Sequence, residues 1–186
     1  MEMPTIDDVR DDVEELTDSD VVVLGLLHNK PIKRTRIQKM SLFIERLFNF
    51  DESISHGSYH YGAFSDGIDE SLISLKGDGS VAVDSSNNYK LTNYGDLLYS
   101  EANNKEELKR KLEAVDVIND FFSSLSDQQL LQLSYLLFPD TTEESLIVKD
   151  VQKKLPHSKY GDLSVQTNLS KKDAVKALVE KMGGNQ

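Results

Sequence analysis

The clearest hydrophobic pattern spans residues 30–50, KPIKRTRIQKMSLFIERLFNF, where Ile37, Met40, Phe43, Ile44, Leu47 and Phe48 recur at steps of three and four. That spacing sets them on one face of a helix, and such a face must be buried. Thr35 is a suitable N-cap for a helix over 36–50, with Pro31 or Lys33 as earlier starting points. Just upstream, VVVLGLLH follows Asp20. Its β-branched start fits strand or helix by pattern alone. The short NKP turn leading into the capped helix selects helix, so the two predict a helix, turn, helix arrangement. At the N-terminus Thr5 caps a helix to about Thr17, with Asp7 and Asp8 at its positive end and Ile6, Val9, Val13 and Leu16 spaced over two heptads.

After Asp51 the pattern changes. In SHGSYHYGAFSDG, Gly57, Gly62 and Gly67 interrupt an aromatic-rich stretch that reads as a loop or short strand. Ser65 or Asp66 caps the next helix, whose apolar positions are Ile68, Leu72, Ile73 and Leu75, and the GDG of residues 77–79 stops it. SVAVDSSNNYKLT then alternates apolar and polar residues on both sides of a Ser/Asn turn, so residues 80–83 and 89–92 should pair as a hairpin. A helix followed by a two-stranded wing is the signature of a winged helix. A short helix over 92–100 leaves the wing.

Leu108, Leu112, Val115, Ile118, Phe121, Phe122 and Leu125 mark one face of a long helix. Ser126 with Gln129 is a capping-box pattern ahead of DQQLLQLSYLLF, and Pro139 lies past its end. Thr141 with Glu144 repeats the pattern before a helix ending near Leu155, and Ser170 caps a last helix that Gly183 ends. The expected fold is mainly α with a small β-hairpin (α+β). It comprises an acidic N-terminal helix (1–19), a winged-helix-like domain (20–102), a helical subdomain (103–157) and a tail with a C-terminal helix (158–186).

Charge sharpens this picture. The 186 residues carry 21 Lys and Arg against 32 Asp and Glu, a net charge of -11, which repels nucleic acid at long range. Any contact with it must therefore be local. Lys30, Lys33, Arg34, Arg36 and Lys39 form such a place, since no acid occurs between Asp20 and Glu45. They suit phosphate contacts at a helix N-terminus, or equally a solvated face paired with the chain's own acids. The N-terminal helix is either an acidic arm for that run or for a second subunit, or an amphipathic helix with a solvated face. Asp66, Asp69 and Glu70 open the helix that would read DNA, where carboxylates would face phosphates. That favours a protein-interaction module as the alternative. In the wing, Lys90 is the cation, beside Asn87, Asn88 and Tyr89.

No cysteine is present, which excludes disulfides and thiolate metal sites. No apolar run approaches the roughly 18 residues of a membrane span, and the first residues lack a signal-peptide pattern, so a cytoplasmic location away from membranes is expected. His56 and His60 have the four-residue spacing of a zinc pair, but Gly57 opposes a helix there and no third ligand is near in sequence. His28 suits the end of its helix and His157 a loop. No GxSxG elbow occurs, GDGS at residues 77–80 lacks the GK[ST] of a phosphate loop, and Glu143 and Glu144 read as helix N-terminal charges. A non-enzymatic protein without a cofactor is expected.

Three short motifs carry a family resemblance: Ile37, Gln38 and Lys39; residues 61–65; and Tyr89, Leu91, Thr92 and Gly95. Their order over residues 20–100 resembles the Panacea (phage-associated, antitoxin-related) family and similar winged-helix regulators of archaea and bacteria. Ala63 stands where proline is usual in that pattern. The SYLLFPDTTEES segment is similar to C-terminal extensions of some archaeal members. The resemblance implies transcriptional control or toxin neutralisation without enzymatic activity. The resulting expectation is a regulator, dimeric, that binds DNA through Lys30, Lys33, Arg34, Arg36, Lys39 and Lys90. In the alternative, an antitoxin- or adaptor-like module turns the same cations toward an acidic protein partner.

Overall fold

The computed structural model describes residues 6–147 and 149–151. The helix expected from Ser170 and the loop holding His157 lie outside them. In order, the elements are α1 (Ile6–Glu14), α2 (Asp18–His28), β1 (Ile32–Lys33), α3 (Arg34–Leu47), α4 (Asp66–Gly77), β2 (Val81–Val83), β3 (Asn88–Leu91), α5 (Asn93–Asn103), α6 (Glu106–Phe122) and α7 (Asp127–Leu137).

VVVLGLLH is helical, as expected, and tertiary packing explains its lack of a polar face. Val21, Val22, Val23, Leu24, Leu26 and Leu27 are all buried, because α4, α5 and α6 surround α2. Gly25 permits the close approach of α6: a Cβ there would lie 2.9 Å from Val115 Cγ1. Thr17 starts α2 through a capping box with Asp20. One hydrophobic cluster extends from Val9 through α2, α3 and α4 to Leu130 and Leu133 of α7.

The expected hairpin is present, with Val81 opposite Leu91 and Val83 opposite Tyr89. Asp84 closes its turn by accepting from the amides of Ser86 (2.8 Å) and Asn88 (2.9 Å), and Asn87 takes a φ of 60°. A third strand was not expected. β1 adds to the other edge of β3, Ile32 opposite Tyr89 and Lys33 opposite Asn88, giving the order β1-β3-β2. Two residues are too few to show an alternating pattern. Their pairing with β3 moves the start of α3 to Arg34, so Lys33, without a side-chain cap bond, occupies the N-cap expected of Thr35.

α1 does not cover the basic run. It buries Val9 and Val13 and lies on α5, where Asp12 accepts from the Tyr94 hydroxyl and Glu14 pairs with Lys105. Burial and the Asp12 carboxylate push the Tyr94 hydroxyl well above its usual pKa. Ser126 and Gln129 form their capping box at the start of α7. Thr141 does not cap a helix: its hydroxyl donates to Phe138 O at 2.8 Å, within a 3-10 turn over Pro139–Thr142. Pro139 lacks the amide that would have continued α7 and tightens the chain there instead.

Candidate functional site

A helix turns about 100° per residue, so neighbouring cations on α3 face different surroundings. Arg36 points inward and is 8% exposed. Its Nη1 donates to Leu125 O and Asp127 Oδ1, both at 2.9 Å, and its Nη2 to Phe122 O at 2.6 Å. It ties the end of α6 to the start of α7, bonding Leu125 O in the connection and sharing Phe122 O with the Leu125 amide. Lys39 is 3% exposed, with Nζ donating to Tyr61 O (3.1 Å) and Ala63 O (2.8 Å). Burial lowers its pKa to about 8. Arg34 sits at the surface, its Nε 2.6 Å from Asp69 Oδ1 and its guanidinium 5.5 Å from the centre of the Phe64 ring.

Lys30, Lys33 and Lys90 are exposed. Lys33 pairs with Asn88, and Lys90 lies two residues along β3, so these side chains share the open face of the sheet. The six cations singled out in the sequence therefore do not assemble into one surface. Arg36 and Lys39 are interior, Arg34 is paired with Asp69, and three lysines stand free of the core.

What α3 organises instead is the aromatic loop after it. His56 is buried against α3, with Nδ1 2.7 Å from Glu45 Oε2 and Nε2 3.0 Å from Ser41 Oγ. The Gln38 amide pairs with the backbone of Ser65 in both directions, accepting from Ser65 N at 2.8 Å and donating to Ser65 O at 3.0 Å. The loop is closed by reciprocal bonds between Gly57 and Phe64, at 2.9 and 3.0 Å. On its far side Leu146 N donates to His60 O at 3.0 Å and Glu144 N to Ser58 Oγ at 2.8 Å. Gly62 has a φ of +83°, and a Cβ there would come within 2.7 Å of the Tyr135 ring.

This inward network leaves Tyr59 48% exposed and Tyr61 63% exposed. Between them and α3 lies a cavity of about 310 Å³, lined by Arg34, Thr35, Lys39, Tyr59, Tyr61 and Phe64 among others. Large aromatics held in water on an ordered backbone are the composition of binding hot spots, since little conformational entropy is lost when they dock. Beyond the groove, α4 begins at its cap Ser65 and presents Asp66, Glu70 and Ile73 to solvent at helical spacing. Ile73 is 67% exposed.

Sequence reasoning passed over the loop as irregular, although its motifs held the signal. Gln38 and Lys39 on one side, and residues 61–65 on the other, are hydrogen-bond partners. The two histidines separate, His56 buried with both ring nitrogens engaged and His60 exposed. Among the described residues no group of three His, Cys, Asp or Glu is placed to hold a metal ion. His28, at the end of α2, stacks on Tyr99 with ring centres 3.7 Å apart. Among the described residues no helix is long and apolar enough to cross a membrane. No protein-family model, curated protein or solved structure matches this chain.

Proposed function

We propose that this chain is a non-enzymatic, winged-helix-like regulator that acts by binding a protein partner through the aromatic groove and the adjoining face of α4. The element order α2, β1, α3, α4, β2, β3, with strands ordered β1-β3-β2, supports the winged-helix-like reading. The observation that carries the choice of partner is the outward face of α4. Where a duplex reader would present cations and hydrogen-bonding side chains at the start of the helix, it presents Asp66, Glu70 and the apolar Ile73, its exposed Lys76 coming in the last turn. The resemblance to Panacea-family regulators supports the same reading, because its first two motifs build the loop that displays Tyr59 and Tyr61.

A second reading rests on Lys30, Lys33 and Lys90, exposed near or on the open face of the sheet, which suit phosphate contacts. Two measurements separate the readings. In cross-linking capture from the host, the intact chain should recover one partner in near-stoichiometric amount, and the double variant Tyr61→Ser, Ile73→Glu should lose it. The chain should not retain duplex DNA even at about 50 mM salt, where phosphate contacts are strongest. Duplex retention that falls steeply with salt and disappears in Lys33→Glu, Lys90→Glu would put the DNA reading in its place.

A further inference from the structure

We propose that the groove between α3 and the aromatic loop receives a partner segment presenting one aromatic or long aliphatic side chain flanked by carboxylates. This rests on the protein-binding reading above and adds the chemistry of the occupant. Two features of the lining select that chemistry.

The first is apolar. Tyr59, Tyr61 and Phe64 offer ring surfaces, and the cavity of about 310 Å³ lies at the small end of ligand sites, suited to a single large side chain. The second is charge. In a chain of net charge -11, the residues lining this groove include Arg34 and Lys39 but no carboxylate. Arg34 also has a donor to spare. The Arg34 guanidinium contacts Asp69 through Nε and Nη2, both at the same oxygen, which leaves Nη1 without a partner among the described residues. Lys39, 3% exposed, spends its ammonium on two loop carbonyls and adds positive charge at the groove floor. A carboxylate arriving here meets a charge-assisted donor, Arg34 Nη1, on a guanidinium already held in place. A lysine or arginine arriving here meets two cations and no carboxylate in the lining, the neighbouring Asp69 being already held by Arg34.

The test is fluorescence anisotropy on the full chain with three labelled dodecapeptides. One carries a central Phe among Glu residues, one replaces that Phe by Ser, and one replaces the Glu residues by Lys. The Phe–Glu peptide should bind, the other two about tenfold or more weaker, and Arg34→Glu and Tyr61→Ser should each weaken the first by about tenfold. Arg34 and Tyr61 are exposed, and circular dichroism checks that both variants keep the fold. Lysine-peptide binding as tight as the first, or affinity unmoved by both variants, overturns the proposal. Tyr61-dependent binding of the lysine peptide would remove this occupant yet leave the protein-binding reading intact. If none of the peptides binds at about 1 mM while a duplex does, both fall. Concentration-dependent dimerisation that Tyr61→Ser abolishes would assign the groove to a second copy and also overturn the proposal.

Discussion

The two ends of the basic run carry like charges a few residues apart and have opposite fates. Lys30 and Lys33 stand in solvent beside the sheet, whereas Arg36 and Lys39 are enclosed by backbone carbonyls. A run of cations in a sequence is thus not a cationic patch in space. On a helix that packs on one side, the residues that rotate inward become structural donors, and those before the helix stay available for partners. Arg36 and Lys39 also show how an interior charge is tolerated: each donates to carbonyls at the ends or bends of elements, where helical pairing stops. By the same logic the run's inward residues, Gln38 and Lys39 among them, are structural supports for the loop. They build the platform on which the aromatic groove stands.

The strongest way to break this contrast is to remove an interior cation and an exposed one in parallel. Arg36→Met removes the guanidinium from Leu125 O and leaves Phe122 O with the Leu125 amide alone, and should cost about 2 kcal/mol. Lys33→Ala should change stability by less than about 0.5 kcal/mol. Urea unfolding of both variants measures the difference, and equal midpoints would show that Arg36 is not structural. Next comes the loop that Lys39 holds. Gly62→Ala combines a positive φ with a contact to Tyr135, and should cost about 2 kcal/mol while lowering any groove-dependent binding. Retained stability with retained binding would mean that the loop is not held as tightly as its bonds imply.

The smallest effect concerns protons. Lys39 has a folded pKa of about 8 against 10.5 for the unfolded chain, so between those values the unfolded chain binds more protons and stability rises with pH. Wild-type protein should gain roughly 1–2 kcal/mol between about pH 8 and pH 9.5 from this group, and lose it again as pH falls through 8. Lys39→Met should lack that gain, because it has no proton to release. Thermal unfolding across this range reads the two slopes, and identical slopes would place Lys39 in a more solvated setting than the carbonyl cage.

Much of the architecture was legible because it is written in local rules. The caps Ser65 and Ser126, the stop after α4, the hairpin and the apolar face of α3 all depend on residues within a few positions of one another. β1 was not legible, because two residues carry no period and their strand character comes from an edge of β3 more than fifty positions away. Thr141 misled for a similar reason: its spacing to Glu144 matches a capping box, but Pro139 had already bent the chain into a 3-10 turn. The candidate site was half legible. Its aromatic and glycine content and its short motifs are local features of the chain, whereas the contact of Gln38 and Lys39 with residues 61–65 depends on how the loop folds back on α3.

The sequence by itself determined most of the helices and the hairpin, which faces are apolar, and that positive charge is concentrated in one segment. Only the tertiary structure decided what that charge does. Arg36 meets Phe122 across 86 positions and Lys39 meets Ala63 across 24, and those separations are set by how α6, α7 and the aromatic loop pack on α3. Hydrogen-bond periodicity acts within a turn of helix, whereas the partner of a charged side chain is chosen by whichever distant backbone packing brings within about 3 Å.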